Sequence, residues 1–377
     1  MYKVPLFKLN YDDKEKKALQ KVINSKWLTM GQQTATLEKK FSNLIKGNVS
    51  TVAVSSCTAA IHLSLLSLDL KKNDEIIVPS LSFISQINVI KNLGAKPILI
   101  DCTSLDNWNI DIEKVKSSIT KNTKAIIILH YAGFPCLIDN ELKEICKKKK
   151  ILIVEDVAHA PGAKINNIFC GAMGDVGCFS FFSNKNISAG EGGIITTKNK
   201  KLANKLRFFR SHGMTQLSLD RTLGRTSKYD VVVSGLNYRI DELRASLANV
   251  QISKLKKANL KRKKIFKLYQ NLLNKLPILF PFQNIGYNYE AAYHIFPILI
   301  PKSINRQLLI DKLKQEGIQT SVHYPAFWSF SIYKKIFSKT KYPFCKEICD
   351  RQLTLPLFPT MKEEDVRYVF NKLKKLL

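Results

Sequence analysis

The sequence predicts an α/β protein built on a mostly parallel central sheet with helices on both faces. Three observations lead there. Short β-branched runs alternate with helical stretches through the first half of the chain, the pattern that builds parallel sheets. Several runs, among them Ala125 to Leu129 and Ile151 to Val154, are apolar at every position, as strands covered on both faces are. The Ile151 run also ends in Glu155-Asp156, so a carboxylate stands at the carboxyl end of a strand, where open α/β sheets place their ligands.

Taken in order, Val52 to Ser55 reads as a strand feeding a helix from Thr58 to Leu68, whose apolar residues recur at helical spacing. Ile76 to Pro79, Pro97 to Asp101, Ala125 to His130 and the Ile151 run follow as strands, separated by lysine-bearing helical segments such as Leu142 to Lys150. Gly177 to Phe182 and Gly193 to Thr197 are the next two strands. From about Ser253 the texture changes. Lys254 to Leu276 reads as one long basic helix ending near Pro277, Ala292 to Ile300 as a strand, and Gln307 to Glu316 as a helix. Segments ending at Pro325 and Leu357, and a last helix from Glu363, complete an α+β tail. The expected division is a large α/β domain over residues 1–250 and a smaller C-terminal α+β domain over 251–377.

Bulk properties exclude several classes. With 377 residues, 45% of them hydrophobic, the chain can bury a large core. No run approaches the roughly 20 apolar residues of a membrane span, and the segment from Met1 to Lys8 lacks the apolar core of a signal peptide. The expectation is a cytoplasmic enzyme without membrane insertion. Eight cysteines are scattered with no CxxC pair and no zinc spacing, so neither a disulfide framework nor a metal is expected. The net charge of +30 suggests nucleic acid, but among the 60 basic residues lysine outnumbers arginine five to one. Phosphate and base recognition favours the arginine fork. The lysines also spread over the whole chain without interleaved aromatics. Nucleic acid is therefore not an expected partner, although a basic surface favours anionic substrates.

The chemistry is concentrated in two residues. Asp156 ends a buried strand, and Lys185 follows the aromatic strand Gly177 to Phe182 and precedes the glycine-rich Ala189 to Gly193. A buried carboxylate that keeps a pyridine nitrogen protonated, and an amine that forms a Schiff base, are the two protein groups that pyridoxal phosphate requires. Taken singly, Asp156 is a strand-end cap and Lys185 one lysine among fifty; the neighbouring residues decide. Ser55 to Leu63 is a strand-to-helix turn rich in small hydroxylated residues, either a phosphate site at a helix N-terminus or plain N-capping by Ser56 or Thr58. Ser180 can supply a second phosphate hydroxyl, and Phe83 can stack on a pyridine ring.

Ordered along the chain, these segments resemble the fold-type I, pyridoxal-phosphate-dependent sugar aminotransferases of the DegT/StrS type over nearly its whole length. The likeness runs through Trp27 to Gly31, Ser56 to Ala60, Pro79 to Phe83, His130 to Gly133, Glu155 to His159, Phe179 to Phe181 and Lys185-Asn186. It continues through Glu191 to Gly193, Arg210 to Gly213, Asn237 to Arg239 and His323 to Pro325. The resemblance implies that Lys185 binds the cofactor and shuttles the proton, and that Asp156 partners the ring nitrogen. It places His159, where the family often has Gln, near the phenolic oxygen. It gives the phosphate to Thr58 and Ser180 with backbone help from Cys57 and Ala59, and to Asn237 of a neighbouring subunit, which makes the expected unit a homodimer with shared sites.

Cys57 departs from a common Gly without threatening the reaction type. The sugar is expected to be chosen by loops around Trp27 to Gly31, Met214 to Asp230 and His323 to Phe330, with Thr29, Met30, Gly31, His323 and Tyr324 as substrate-binding candidates. The implied reaction is ping-pong transfer of an amino group from L-glutamate to a nucleotide-linked keto sugar, foremost a 4-keto-6-deoxy hexose, for a surface glycan such as lipopolysaccharide. A 3-keto sugar aminotransferase and a sugar dehydratase are the alternatives within the family. Its dehydratase branch carries His in place of the lysine, and Lys185 argues against that branch. A desulfurase-like lyase would need an essential cysteine on a mobile loop, and no cysteine here has that setting.

Overall fold

The computed structural model describes residues 2–216, 228–283 and 285–377. The strands are β1 (Ser50–Val54), β2 (Glu75–Pro79), β3 (Lys96–Ile100), β4 (Thr123–Leu129), β5 (Leu152–Asp156), β6 (Lys164–Ile165), β7 (Ile168–Phe169), β8 (Val176–Ser180), β9 (Gly193–Thr197), β10 (Tyr289–Glu290), β11 (Phe296–Leu299) and β12 (Gln352–Leu355). Seven of them form one sheet in the order β1-β9-β8-β5-β4-β2-β3. From β8 through β5, β4 and β2 to β3 every pairing is parallel, and β9 alone runs against its neighbours. The segment from Phe181 to Gly192 forms no helix that could carry a crossover over the sheet, and the chain turns back so that β9 pairs antiparallel with β8. That short connection is the one that carries Lys185.

Alternation along each strand assigns the two faces. Ile76, Val78, Ile127 and Val154 pack on one face under α3 (Cys57–Leu66), α4 (Ser85–Asn92) and α7 (Lys200–Arg210). Ile77, Ile126, Ile128 and Ile153 pack on the other face with Val115 of α5 (Ile112–Ser117) and Leu142 of α6 (Asn140–Lys149). Ahead of these lie α1 (Asp13–Asn24) and α2 (Gln32–Ile45), and α2 contributes Leu37 and Phe41 beneath Ala53, Phe179 and Ile194.

A single helix, α8 (Glu242–Leu273), links the sheet to the C-terminal layer. Its buried stripe of Ala245, Ala248, Leu255, Ala258, Phe266, Tyr269 and Leu273 keeps helical spacing from end to end. The boundary expected near 250 falls inside this helix. The change of texture at Ser253 reflects its exposed lysines, not a break in the chain. Beyond it, β11 and β12 pair antiparallel and pack with α9 (Arg306–Gln315), α10 (Pro343–Arg351) and α11 (Glu363–Leu376). The N-terminus joins this layer through a parallel bridge from Val4 to Ile318.

The strand expected over Ala292 to Ile300 is shorter, Phe296–Leu299. Its first half bends away at Tyr293 (φ 50°) and bonds to the loop after β4, with Ala292 N–H donating to the Gly133 carbonyl and His294 N–H to that of Ala132. This detour brings His294 under the carboxyl end of the sheet.

Candidate active site

The carboxyl ends of β4, β5 and β8 and the N-terminus of α3 surround a cavity of about 470 Å³, within the usual range of small-molecule sites. Cys57, Thr58, Phe83, Asp156, His159, Ser180, Lys185, His323 and Tyr324 all line it.

Alternation decides which of the paired acids serves the cavity. Glu155 turns to the opposite face, fully buried, where His130 Nε2–H and the N–H groups of Gly171, Met173 and Gly174 donate to its two oxygens at 2.7–2.9 Å. Asp156 points into the cavity and is 5% exposed. Gln86 Nε2 donates to its Oδ2 at 2.7 Å, while Ala158 N–H donates to Oδ1 at 3.1 Å and the Cys57 thiol reaches the same oxygen at 3.8 Å. Three donors aimed at one buried carboxylate suit it to face a cation. The sequence reading missed Gln86. Its only signal was an amide in α4, which also carries Asn88 and Asn92; burial is what makes Gln86 the one that must find a partner.

Lys185 Nζ stands opposite, 3.4 Å from His294 Nε2. Burial pushes its pKa down to about 8, against the opposing pull of Asp156 and Cys57. His159 is buried too, and burial, with the charge of Lys185 and the nearby His323, holds its pKa well below the ordinary value. Its Nδ1 accepts from Ala132 N–H at 3.2 Å, so the ring proton sits on Nε2 and is donated to Tyr324 Oη at 2.7 Å. Tyr324 is thereby left with its own proton to give. Both nitrogens of His159 are engaged by protein groups, and the Tyr324 hydroxyl that it pairs with lines the same cavity. His323 Nδ1 pairs with Thr354 Oγ1 at 2.8 Å, and burial pushes its pKa to about 3.

At the α3 N-terminus the capping falls to Ser56, whose Oγ accepts from Ala59 N–H at 3.0 Å. The Ala59 N–H is thus already engaged, while Cys57 and Thr58 face the cavity. Ser180 closes β8 on the far side, and Phe83, 51% exposed, presents its ring beside Tyr324 at 5.5 Å. Gly193 makes this junction possible. A Cβ there would lie 2.6 Å from the Ser56 carbonyl carbon and 2.7 Å from the Phe179 oxygen.

Not every candidate converges. Among the described residues, Thr29, Met30, Gly31, Ala59 and Asn237 do not line this cavity. The Thr29 loop is pinned by Glu242, which accepts from the N–H groups of Gly31, Gln33 and Thr34 at 2.6–2.9 Å. Asn237 is exposed on a ribbon in which Ser211 bridges Asn237 and Met214 bridges Val231. Of the expected loop Met214 to Asp230, residues 217–227 lie outside the described residues. His294 was not anticipated, because its segment read as an ordinary strand.

A carboxylate held for a cation, an amine opposite it, a hydroxyl-lined helix N-terminus and an aromatic face fit pyridoxal phosphate group by group. Together with a sheet of this order, they define a fold-type I pyridoxal-phosphate-dependent enzyme. The chain belongs to the DegT/DnrJ/EryC1/StrS aminotransferase family, whose model matches residues 10–374. An uncharacterized Methanocaldococcus jannaschii protein, MJ1066, is 36% identical over 361 residues, covering 94% of this chain and 92% of its own. The putative sugar aminotransferase Spr1654 from Streptococcus pneumoniae superposes with a TM-score of 0.90 at 27% identity, covering 100% of this chain and 98% of the other. Its solved forms include one with pyridoxal phosphate and one with pyridoxamine phosphate. The E. coli GDP-4-keto-6-deoxy-D-mannose-3-dehydratase superposes with a TM-score of 0.87 at 26% identity, covering 99% and 100%. The protein is a pyridoxal-phosphate-dependent aminotransferase of a sugar aminotransferase family. No helix of the described residues is long and apolar enough to cross a membrane.

Proposed function

We propose that the protein moves an amino group from L-glutamate to the keto carbon of a nucleotide-linked sugar, foremost a 4-keto-6-deoxy hexose, in the cytoplasm for assembly of a surface polysaccharide. The observation that carries the choice of reaction is Lys185. An amine shares the cavity with Asp156, where the dehydratase branch has an imidazole. The cofactor supplies an electron sink when bound. Asp156 would hold the positive ring nitrogen that makes the sink work, with Gln86 and Ala158 fixing its two oxygens. Lys185, with a pKa of about 8, takes or gives a proton at modest cost near neutral pH. Thr58 and Ser180 would offer hydroxyls to the phosphate, Phe83 would give the pyridine ring an aromatic neighbour, and Tyr324 would donate its proton to the cofactor or the substrate. His323 belongs to the same wall, on the side open to a sugar.

The working unit we propose is a homodimer. Asn237 lies outside its own chain's cavity, on an exposed ribbon that also presents Val231 and Val232, 55% and 48% exposed. Exposed valines beside a polar residue suit a subunit interface. Asn237, with the Thr29–Gly31 loop, is assigned to the neighbouring subunit's cavity.

The test of substrate is direct. The enzyme is given glutamate and, in parallel, nucleotide-linked 4-keto-6-deoxy and 3-keto hexoses, and the products are read by mass spectrometry and NMR. A 4-amino sugar is expected. A 3-amino sugar would move the assignment to the other carbon, and a deoxygenated sugar without nitrogen would sink the aminotransferase reading.

A further inference from the structure

We propose that His294 is a positioning residue for Lys185, holding the lysine amine at the end of a hydrogen-bond relay that has only one possible direction. The inference rests on the reading above solely in taking Lys185 as the amine that binds the cofactor.

The direction is set at two backbone carbonyls. Asn259 Nδ2 donates to the Pro161 carbonyl at 3.0 Å, which turns its Oδ1 towards Asn186. Asn186 Nδ2 donates to that Oδ1 at 2.9 Å and to the Ala292 carbonyl at 2.8 Å, so both of its protons are used. What Asn186 presents to His294 Nδ1, 3.0 Å away, is therefore an acceptor oxygen. The ring must carry its proton on Nδ1. Its Nε2 is left with a lone pair, and the group in front of that lone pair is Lys185 Nζ. The 3.4 Å separation is the loose geometry expected before the site closes on its ligands.

The ring cannot turn away from this task. It is 2% exposed, and its backbone is clamped on both sides: His294 N–H donates to the Ala132 carbonyl, and Arg262 donates to the His294 carbonyl at 3.1 Å. The segment lies so close to Gly133 that a Cβ there would come within 2.8 Å of the His294 nitrogen. Burial, with Lys185, His159, Arg262 and His323 nearby, holds the ring pKa well below the ordinary range, so it stays neutral.

Lys185 alternates between amine and ammonium in the proposed reaction, and it faces Asp156, Cys57, His159, His294, His323 and Tyr324. A neutral acceptor suits both states. It engages one N–H in either form, adds no charge, and leaves the remaining valences of the nitrogen towards the cavity. Because a hydrogen bond is stronger from an ammonium than from an amine, His294 also raises the pH at which Lys185 becomes a free amine.

That last consequence is measurable without turnover. Full-length protein stripped of cofactor is mixed with pyridoxal phosphate across a pH series, and covalent attachment is followed by absorbance. Borohydride fixation with peptide mapping identifies the lysine. Attachment is expected to accelerate as Lys185 loses its proton, with a wild-type midpoint expected at about pH 8, where burial places the amine. His294→Leu is expected to lower the midpoint by about one unit, the scale of one lost hydrogen bond to a charged group. His294→Gln, which keeps an acceptor oxygen, is expected to restore it. A folded His294→Leu protein with the wild-type midpoint overturns the proposal. If that variant does not fold, Asn186→Ala, which frees the ring to present N–H to Lys185, is judged by the same criterion. Label on a lysine other than Lys185 in the wild type would instead refute the aminotransferase reading.

Discussion

Asp156 is 5% exposed, and its side-chain oxygens are met by protein groups. Gln86, the Ala158 N–H and the Cys57 thiol replace the water that a buried carboxylate loses. Asp156→Asn keeps the shape but removes the charge, so the ring nitrogen of the cofactor loses its proton and the electron sink weakens. Cofactor occupancy is expected to survive while turnover falls by about two orders of magnitude or more, the scale of removing one preorganised electrostatic contact. Steady-state rates on protein with occupancy measured by absorbance check this, and near-normal turnover would end the assignment. At this scale Asp156 and Lys185 were legible because an acid after a buried strand and a lysine after an aromatic one are chemically conspicuous. Gln86 and His294 were not. A polar residue inside an apolar segment announces that it needs a partner without naming it, and both partners lie far away in sequence.

At the scale of elements, the cavity depends on how closely β9 approaches the turn between β1 and α3. Gly193 opens β9, and the Ser56 carbonyl occupies the space where its side chain would be. Gly193→Ala is expected to push the α3 N-terminus away from Ser180, at a cost of about 1–3 kcal/mol for overpacking. Cofactor affinity should fall with a modest drop in melting temperature, read by absorbance titration and thermal melts. Unchanged affinity would show that this contact does not set the spacing of the phosphate groups. Hydrophobic runs located the sheet strands to within a few residues, because burial on both faces leaves an unmistakable pattern. Direction was not in that pattern: Gly193 to Thr197 reads the same either way, and its reversal accompanies a connection bearing Lys185 that forms no crossover helix. The bend at Tyr293 was equally silent, since the bonds that impose it come from the Ala132–Gly133 loop.

At the scale of the whole molecule, the proposed shared site would be built from two chains. A cavity that lacks Asn237 of its own chain is completed in the proposed dimer by Asn237 of the partner subunit. Lys185→Ala chains and Asn237→Ala chains, each impaired alone, should recover part of the activity when mixed, because half the heterodimer's sites carry neither change. No recovery after proven subunit exchange would rule out shared sites. This level was the least legible from the residues alone. Nothing in a run of sequence distinguishes an exposed Asn237 that ends a turn from one that reaches a neighbour.

The central claim, that Lys185 and Asp156 serve amino transfer, is tested most directly by the first half of the reaction. L-Glutamate is added to enzyme loaded with pyridoxal phosphate in the absence of any sugar, and absorbance and released 2-oxoglutarate are followed together. The account predicts conversion to pyridoxamine phosphate with about one 2-oxoglutarate per site, abolished in Lys185→Ala. Cofactor that is attached to Lys185 yet stays in the pyridoxal form, with no 2-oxoglutarate released, would contradict it.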